Sequence, residues 1–599
     1  MKKTLLFILP LLLLICFAGC NQPEGGSAGK EMSTPTAEGT PLPTFTPTAS
    51  AMHEDDNHTE APKEDVPYRY AVNKYEADRD GWALDYYEYE TPFCLTDTIL
   101  TYWTTTFYPE WLPEGGLGQV DFCLEEERIT GVHIEYLVID AYSGRESNFA
   151  VLLASDDLPD LLNQADNYYP GSMENAIMDR YLVNLYDYRA YAPNFFHFVL
   201  SHDDDPNLYD QIFIRENLVA SFRKFSDRIV PAYGTCGVRG DWLDRLGIDL
   251  DSITTVEDYT RVGRMFRTEY GCSKAINLIT NQIDMPNFFT CYDTYTCLAS
   301  TYNNTFPSPY VPEGRVHFYY SDENARAFVA QMAEWMAEGL CDPNFMAPDY
   351  STNPQWNNDA GFYCMTPSWI PQYNQNCIDP DCDWRILKKV SLYEGQVHKL
   401  GKTDGYYGYG STQISMKCSN IELAVTWCDW RYSESGAFFC SYGVQGITWE
   451  YNEAGRPEAT EFIYNNPDGI DFTYGMTVFA FNHFVEHGIK LIASEYCFPG
   501  GENAISMFDY HNQYLYSGEW EWPKGVTLSD EQSQRFAVVG NDLSTYITEN
   551  VTQFVNLDKP LSEWDSYSQG LEELGIGRAL EIYQEAYEQY LEKKAARKS

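Results

Sequence analysis

The sequence predicts an α/β protein with at least two folded lobes. Its 599 residues exceed the roughly 250–300 residues at which a single hydrophobic core stops growing. Segments with strand-like alternation and segments with helical spacing of apolar residues follow one another along the chain. Strands interleaved with helices are typical of α/β lobes, in which helices cover the sheets.

The first globular segments carry strand signals. Residues 99–105 (ILTYWTT) and 133–140 (HIEYLVID) are rich in β-branched and aromatic residues and predict two strands. Residues 149–153 fit a helix or a strand, and both assignments stay open. Residues 158–162 (LPDLL) predict a short buried strand entered through a proline.

Helical spacing appears in three later segments. Residues 255–267, 324–339 and 562–594 predict helices, and Thr254 is a possible cap of the first. Gly575 and Gly577 predict a break within the last.

The first residues indicate export. Lys2 and Lys3 precede an apolar run over residues 5–18, which is too short for a permanent membrane span and is typical of a secretory signal. Phe-Ala-Gly-Cys at 17–20 resembles a bacterial lipobox, so a lipid on Cys20 is expected to anchor the chain to the outer face of the cell membrane. The alternative is an ordinary cleaved signal, with Cys20 unmodified.

A linker follows the signal. Residues 20–67 contain three Thr-Pro units and much Gly, Ser, Glu and Asp, so they cannot bury enough apolar surface to fold. We expect an extended stalk. Residues 68–91 are Tyr-rich and acidic, a transition whose secondary structure the pattern does not determine.

Composition narrows the class of ligand. A net charge of −48 repels phosphate backbones, so no nucleic acid partner is expected, and anionic polysaccharides are disfavoured. Aromatic residues make up 16% of the chain, including 47 Tyr and 14 Trp. Because the Tyr hydroxyl resists full burial, some of these rings must lie on surfaces or in grooves, where they could stack on sugar rings.

The 16 cysteines leave the redox state open. Neighbours such as Cys291 with Cys297 and Cys377 with Cys382 could form disulfides, and free buried thiols are equally compatible with the spacing. The chain has no Cys-x2-Cys doublet, which disfavours a structural zinc site.

No motif predicts catalysis. The Gly-x-Ser-x-Gly string at 25–29 and the His-Glu pair at 53–54 both lie in the linker, where neither a strained strand-to-helix turn nor a metal-binding helix can form. With 88 acidic residues, some carboxylate pair will always lie close enough for glycosidase chemistry, and the sequence identifies none. We therefore expect a protein that is not an enzyme, with no catalytic residues, metal or cofactor.

Six strings, in one order over most of the chain, carry a family resemblance. They are NFAVLLASDDLPDLL at 148–162, YAPN at 191–194, VRGDWLDRLG at 238–247, WMAEGLCDP at 335–343, YGVQGITW at 442–449 and LGIGRALEIYQEAY at 574–587. Together they resemble segments of the extracellular solute-binding proteins of ABC transporters, in particular the large lipoprotein branch of Firmicutes that feeds importers of oligosaccharides.

This resemblance implies a two-lobed, periplasmic-binding-protein-like fold of type II. Crossing strands would join the lobes near 232–237, 405–414 and 519–524, and the ligand would be held in the cleft. The expected N-terminal lobe covers 92–235 plus 412–518, and the C-terminal lobe 236–411 plus 519–599. The implied function is capture of a carbohydrate by a monomer and its delivery to the permease subunits of an ABC transporter.

The resemblance also implies contact residues. Trp369 would stack on the sugar, although it could equally be a core residue. Gln164, Asp166 and Asn167 follow the buried strand at a loop that binds sugar hydroxyls in relatives, and amide and carboxylate groups suit that chemistry. Further candidates lie at strand ends and crossings, where a structural role is as compatible: Trp103, Phe107, Tyr406, Tyr407 and Trp522.

One departure from the family concerns calcium. Some relatives carry an acidic calcium loop after the helix that corresponds to 257–266, whereas residues 267–274 of this chain offer too few oxygen ligands. We expect no metal there.

Two other functions remain open from the sequence. A surface glycosidase would release reducing sugar, and a surface adhesin would bind glycan without an importer or domain closure.

Overall fold

Two mixed sheets with separate hydrophobic cores organise the folded part of the chain. The computed structural model describes residues 66–597 except 107–108, 110–111, 140–143, 206, 231–234, 278–288, 296–306, 319–321, 347–351, 366–369, 402–404, 465, 468, 470–474, 476–486 and 498–516. The residues from 67 onward form one compact unit.

The described strands are short and are distributed along the whole chain. They are β1 (Ile99–Thr105), β2 (His133–Ile139), β3 (Leu161–Asn163), β4 (Phe222–Val230), β5 (Thr235–Arg239), β6 (Lys274–Asn277), β7 (Pro309–Tyr310), β8 (His317–Phe318), β9 (Ala360–Met365), β10 (Trp384–Leu387), β11 (Gly405–Ile414), β12 (Trp449–Tyr451), β13 (Pro457–Ala459) and β14 (Gly488–Lys490).

The described α-helices alternate with these strands, as the fold class predicts. They are α1 (Asp121–Thr130), α2 (Arg145–Ser155), α3 (Met173–Met178), α4 (Pro193–Ser201), α5 (Leu208–Ile212), α6 (Gly240–Leu246), α7 (Val256–Tyr270), α8 (Glu323–Ala337), α9 (Ile370–Asn376), α10 (Ile421–Trp430), α11 (Glu434–Tyr442), α12 (Glu461–Tyr464), α13 (Asp530–Val555), α14 (Trp564–Leu574) and α15 (Ile576–Arg597).

The first sheet has the order β14-β4-β11-β3-β1-β2. β1 pairs in parallel with β2 and β3, β14 pairs in parallel with β4, and β11 runs antiparallel to both β3 and β4. The second sheet has the order β10-β5-β9-β6, with β9 antiparallel to β5 and parallel to β6.

The chain passes between the two sheets more than once. It leaves the first sheet after β4, enters the second at β5, returns at β11 and, after β14, continues to helices that pack on the second core. β11 pairs with β4 from Gly405 onward. Residues 405–411 therefore lie in the first sheet, within the range 405–414 where the resemblance implies a crossing strand.

Each sheet has its own aromatic core. The first core contains Phe195, Phe222, Phe225, Trp427 and Trp430, together with Ala71 and Tyr89 from the N-terminal transition segment. The second contains Trp242, Tyr259, Phe266, Trp335 and Phe362, and side chains of α13, α14 and α15 join it. Burial of these large aromatic side chains contributes to the hydrophobic driving force for folding of both cores.

Helix ends follow local sequence signals. α7 begins with a capping box, in which the Thr255 hydroxyl accepts from the backbone N–H of Asp258 and the Asp258 carboxylate accepts from that of Thr255. The cap is one residue later than the sequence predicts. α14 ends where Gly575 adopts φ 98°, a conformation that favours glycine, and α15 follows directly. The predicted break in the last helical segment is confirmed.

The described cysteines are free thiols, and all but Cys377 are buried. Cys297 lies outside the described residues, so its predicted pairing is not tested. Within the described residues, no helix combines the length and apolarity needed to cross a bilayer.

Candidate functional site

Polar side chains converge where β3 ends beside β11. Gln164 follows β3 with φ 54°, which turns the chain into a single helical turn over Ala165–Asn167. Two hydrogen bonds to β11 fix this turn: the Gln164 backbone N–H donates to Ser411 O (2.9 Å) and that of Ala165 to Gln413 Oε1 (2.9 Å). The carboxyl ends of parallel strands are common ligand sites in α/β proteins, and β1 and β3 end at this edge.

Asp166 is the centre of this arrangement. Its Oδ2 lies 2.7 Å from Nη2 of Arg223 on β4. Its Oδ1 accepts from Ser411 Oγ (2.6 Å) and Gln413 Nε2 (3.2 Å) on β11. The side chains of Asp166 and Arg223 are 15% and 18% exposed, so the pair is only partly screened by water. We call Asp166, Arg223, Ser411 and Gln413 the Asp166 cluster.

Tyr407 borders the Asp166 cluster. The Arg223 guanidinium carbon lies 5.5 Å from the centre of the Tyr407 ring, within the range of a cation–π contact. Burial raises the pKa of the Tyr407 hydroxyl, which keeps it neutral and able to donate. The half-buried ring thus lies beside charged and amide groups, a combination that suits a ligand with hydroxyls and an apolar face.

Gln164 and Asn167, which flank Asp166, differ in their exposure to solvent. Gln164 is 2% exposed, and its side-chain oxygen accepts from Asn167 Nδ2 (3.2 Å). Asn167 is exposed. Of this pair, Asn167 is the side chain that solvent reaches, and Gln164 holds it in place.

Trp103 lies beneath the same edge. It is 1% exposed, and its indole N–H donates to Asn148 Oδ1 (2.8 Å). The buried Arg145 guanidinium lies 5.0 Å from the Trp103 ring and donates to the backbone oxygen of Asn163 (2.7 Å). Trp103 therefore supports the end of β3 from the core.

Tyr406 and Trp522 lie away from the Asp166 cluster. The Tyr406 hydroxyl donates to Asp204 Oδ2 (2.9 Å), and its ring contacts Phe198 in the first core. Burial, followed by the hydrogen bond with Asp204, raises the pKa of Tyr406 to about 12. Trp522 packs beside Tyr583 and Tyr587 of α15, on the second core.

The remaining predicted site residues lie outside the described residues: Cys20, Phe107 and Trp369. In the region expected to lack calcium, residues 267–274 form the last turn of α7, its Gly271 cap and the start of β6. Among the described residues, no group of three or more His, Cys, Asp or Glu side chains is arranged to hold a metal ion.

Arg223, Ser411 and Gln413 were not predictable as site residues from motifs. Arg223 is one of 40 basic residues in a chain with 88 acidic ones. The scarcity of basic residues is the one sequence signal that could have drawn attention to it. Ser411 and Gln413 reach Asp166 because β11 pairs with β3 across more than 240 positions of sequence.

No family model matches the chain. A search of curated proteins finds the fructooligosaccharide ABC transporter substrate-binding protein FusA of Streptococcus pneumoniae, 21% identical over 501 residues, which cover 78% of this chain and 86% of FusA.

Two solved structures of solute-binding proteins are similar to this chain in fold. FusA in complex with kestose superposes with a TM-score of 0.60 at 19% identity, covering 82% of this chain and 99% of FusA. A human-milk-oligosaccharide (HMO)-binding solute-binding protein of Bifidobacterium longum infantis gives 0.61 at 14% identity, with coverages of 82% and 99%. The chain has the two-domain, periplasmic-binding-protein-like fold of these proteins, and the resemblance to solute-binding proteins of ABC transporters that its sequence motifs carry is confirmed.

Proposed function

We propose that this chain is the extracellular solute-binding receptor of an ABC importer and that it captures an oligosaccharide between two lobes. The observation that carries the proposal is the similarity to FusA, a substrate-binding protein named for fructooligosaccharides, over 78% of the chain. The Asp166 cluster supports it, because carboxylate and amide groups beside a tyrosine ring suit sugar hydroxyls and the apolar face of a sugar ring.

We assign the lobes from the two sheets. One lobe holds the first sheet and its core, over residues 67–230 and 405–497, and the other holds the second sheet, over residues 235–401 and 517–597. As the two lobes close, the second lobe would cover the sugar bound at the Asp166 cluster. The permease would recognise this closed form. Trp369 and Phe107 remain proposed contacts.

Thermal unfolding with a panel of ligands tests the substrate class. We expect a neutral oligosaccharide, with fructooligosaccharides tried first, to raise the melting temperature, because a ligand at 100 times its Kd stabilises the folded state by about 2.7 kcal/mol. Acidic oligosaccharides should do so less, given the net charge of −48. Stabilisation by peptides and by no sugar would contradict the proposal.

Binding without catalysis is a separate part of the proposal. The chain incubated with its oligosaccharide should leave the sugar intact by chromatography, whereas release of reducing ends would show a glycosidase. A strain that lacks the chain should lose uptake of that sugar. Loss of adhesion with normal uptake would instead favour an adhesin.

We also propose that a lipid on Cys20 holds the receptor at the outer face of the cell membrane, as a monomer on its stalk. Confinement to the membrane would raise the receptor's effective concentration at the permease. Replacement of Cys20 by Ala should release the protein from the membrane fraction into the medium. A variant that stays in the membrane fraction would exclude this anchor.

A further inference from the structure

A pair of cysteines lies beside the second sheet, in a small cluster of buried side chains that includes none of the Asp166 cluster. Cys377 directly follows α9, and Cys382 lies two residues before β10. Both side chains pack in one small cluster with Tyr363, Tyr373 and Trp384. They are five positions apart, and the turn between them brings both side chains to the same cluster, where Cys377 Sγ also donates to Asn358 Oδ1 (3.6 Å).

Backbone hydrogen bonds and ion pairs fix the turn between Cys377 and Cys382. The Cys382 backbone N–H donates to Asp379 O (3.0 Å), and the Ile378 N–H donates to Trp356 O (2.9 Å). The Asp379 carboxylate contacts Nη2 of Arg239 (3.4 Å), which directly precedes α6, and Nη1 of Arg245 (3.3 Å), which lies in the last turn of α6. The loop is therefore tied to its surroundings on both sides of the pair.

The two thiols differ in access and in charge. Cys377 is half-buried, whereas Cys382 is buried. The hydrogen bond from the Cys382 thiol, with a backbone N–H of Asp379 and the nearby Arg239 charge, lowers the pKa of Cys377 to about 7. The same hydrogen bond raises the pKa of Cys382. At Cys236 the effect of burial is larger than that of its contact with the Tyr259 hydroxyl, and burial raises the pKa of Cys236 to about 12.

We propose that Cys377 and Cys382 are a thiol–disulfide site, in which Cys377 is the attacking sulfur and Cys382 the resolving sulfur. The oxidant is a small-molecule or protein disulfide. The Cys377 thiolate attacks one sulfur of the oxidant, forms a mixed disulfide and releases one thiolate. Cys382 then gives its proton to solvent and attacks Cys377 Sγ, which releases the second thiolate. Two cysteines are oxidised and the oxidant disulfide is reduced to two thiols.

Oxidation would close a short covalent loop on the second sheet. The new bond would join the end of α9 to the start of β10 and fix the loop that carries Asp379 against Arg239 and Arg245. The site depends on these contacts alone and not on the proposed ligand.

Peptide mapping tests the proposal on the intact chain. The reduced protein is treated with oxidised glutathione, its remaining thiols are alkylated in denaturant, and the digest is analysed by mass spectrometry. We expect one cross-linked species that joins Cys377 to Cys382 and has lost two hydrogens, and dithiothreitol should restore both thiols. Separate alkylation of the two residues, or glutathione retained on Cys377, would overturn the proposal.

Single substitutions separate the two roles. Cys382→Ser should accumulate glutathione on Cys377, because no resolving thiol is present, and Cys377→Ser should leave Cys382 unmodified. Cys341→Ser, a buried thiol of the second core, is the matched control and should leave the cross-link unchanged. Equal cross-linking of Cys377 to several other cysteines would also overturn the proposal, and this readout on the wild-type chain does not depend on any variant folding.

The pH dependence of alkylation gives a second measurement. Because the pKa of Cys377 is lowered, its thiolate fraction at pH 7 should exceed the roughly 3% of a cysteine with the ordinary pKa of about 8.5. The rate of Cys377 alkylation in the reduced protein should therefore reach half its maximum at a lower pH than that of an ordinary cysteine. A midpoint near 8.5 would contradict its role as the attacking sulfur.

Discussion

At the scale of single residues, the proposed ligand site depends on one carboxylate that satisfies three partners from two strands. Asp166 accepts from Ser411 and Gln413 and pairs with Arg223. The removal of one member of such a network leaves the others with unmet hydrogen-bonding groups in a poorly hydrated place, which costs more than the lost bond. Substitution of Asp166 should therefore change the positions of the side chains around it at the end of β3.

Replacement of Asp166 by Asn is expected to weaken oligosaccharide binding about tenfold or more, because the amide places a donor where Ser411, Gln413 and Arg223 all donate. The corresponding cost is about 1.5–3 kcal/mol. Isothermal titration calorimetry with the sugar found by thermal shift measures it.

The matched control is Asp156→Asn. Asp156 pairs with Lys417 at 2.6 Å, and both side chains are well exposed, so this substitution should change Kd less than twofold. If the two substitutions change Kd equally, Asp166 is not part of the binding site.

His398 gives the second residue-scale prediction, a pH dependence. It is fully buried, its Nε2 lies 2.9 Å from Ser391 Oγ, and burial lowers its pKa from 6.5 to about 4. The folded state thus favours the neutral ring, and the unfolded state binds a proton more readily. The stabilisation is complete above pH 6.5 and is lost as the pH falls towards 4.

The expected loss between pH 7.5 and 5 is about 2 kcal/mol from this residue. The measurement is urea unfolding of the wild type and of His398→Asn at both pH values. The free energy of unfolding should fall more between pH 7.5 and 5 in the wild type than in the variant, and this difference is the contribution of His398. Parallel pH profiles for the two proteins would show that His398 does not titrate as inferred.

At the scale of elements, the N-terminal transition segment is tied to the first lobe by one buried carboxylate. Oδ2 of Asp429, at the end of α10, accepts from the Tyr89 hydroxyl (2.8 Å) and from Nδ2 of Asn194 on α4 (3.0 Å), and its Oδ1 accepts from the Phe195 N–H (2.8 Å). The segment, α4 and α10 therefore meet at a single buried carboxyl group, and burial raises the pKa of Asp429 to about 7.

Tyr89→Phe should destabilise the protein by about 1–2 kcal/mol, because Asp429 loses a donor that no water can replace. Urea unfolding measures the change. Tyr451→Phe is the control, since Tyr451 is 42% exposed and its loss should have little effect. If Tyr89→Phe leaves the free energy of unfolding unchanged, the stability of the segment does not depend on this hydrogen bond.

Elements with strong local signals were predictable from the sequence. β1 occupies the predicted residues 99–105, α7 and α8 lie within three residues of their predicted ends, and residues 149–153 fall in α2, one of the two structures that their pattern allows. α13 carried a capping box at Ser529 and Gln532, a signal that could have identified it.

The Asp166 cluster, the proposed binding site, was predictable in part. Asp166 and Asn167 follow from their place after a strand, and Tyr407 from its place near a crossing. The partners of Asp166 could not be found, because they depend on which strands pair with β3. Tyr406 and Tyr407 are adjacent, and only the alternation of side chains across β11 decides that Tyr406 faces the core.

At the scale of the whole molecule, two cores are joined by crossing strands and by at least one direct bond. The Tyr590 hydroxyl of α15 donates to Asp210 Oδ2 of α5 (2.7 Å), and these helices belong to the second and first cores. Two lobes with separate cores can move as bodies while their interiors stay packed. The net charge of −48 disfavours contact between copies, in keeping with the proposed monomer.

Domain closure is the expected response of this architecture to its sugar. A ligand that contacts both lobes binds the closed arrangement more tightly and shifts the population towards it. Small-angle X-ray scattering of the wild type should therefore show a smaller radius of gyration with saturating oligosaccharide than without. Asp166→Asn at the same sugar concentration should show little change, because its site is mostly empty. If the wild type binds sugar by calorimetry and its scattering curve does not change, the chain binds glycan without closing, and a static adhesin replaces the import receptor as the better description.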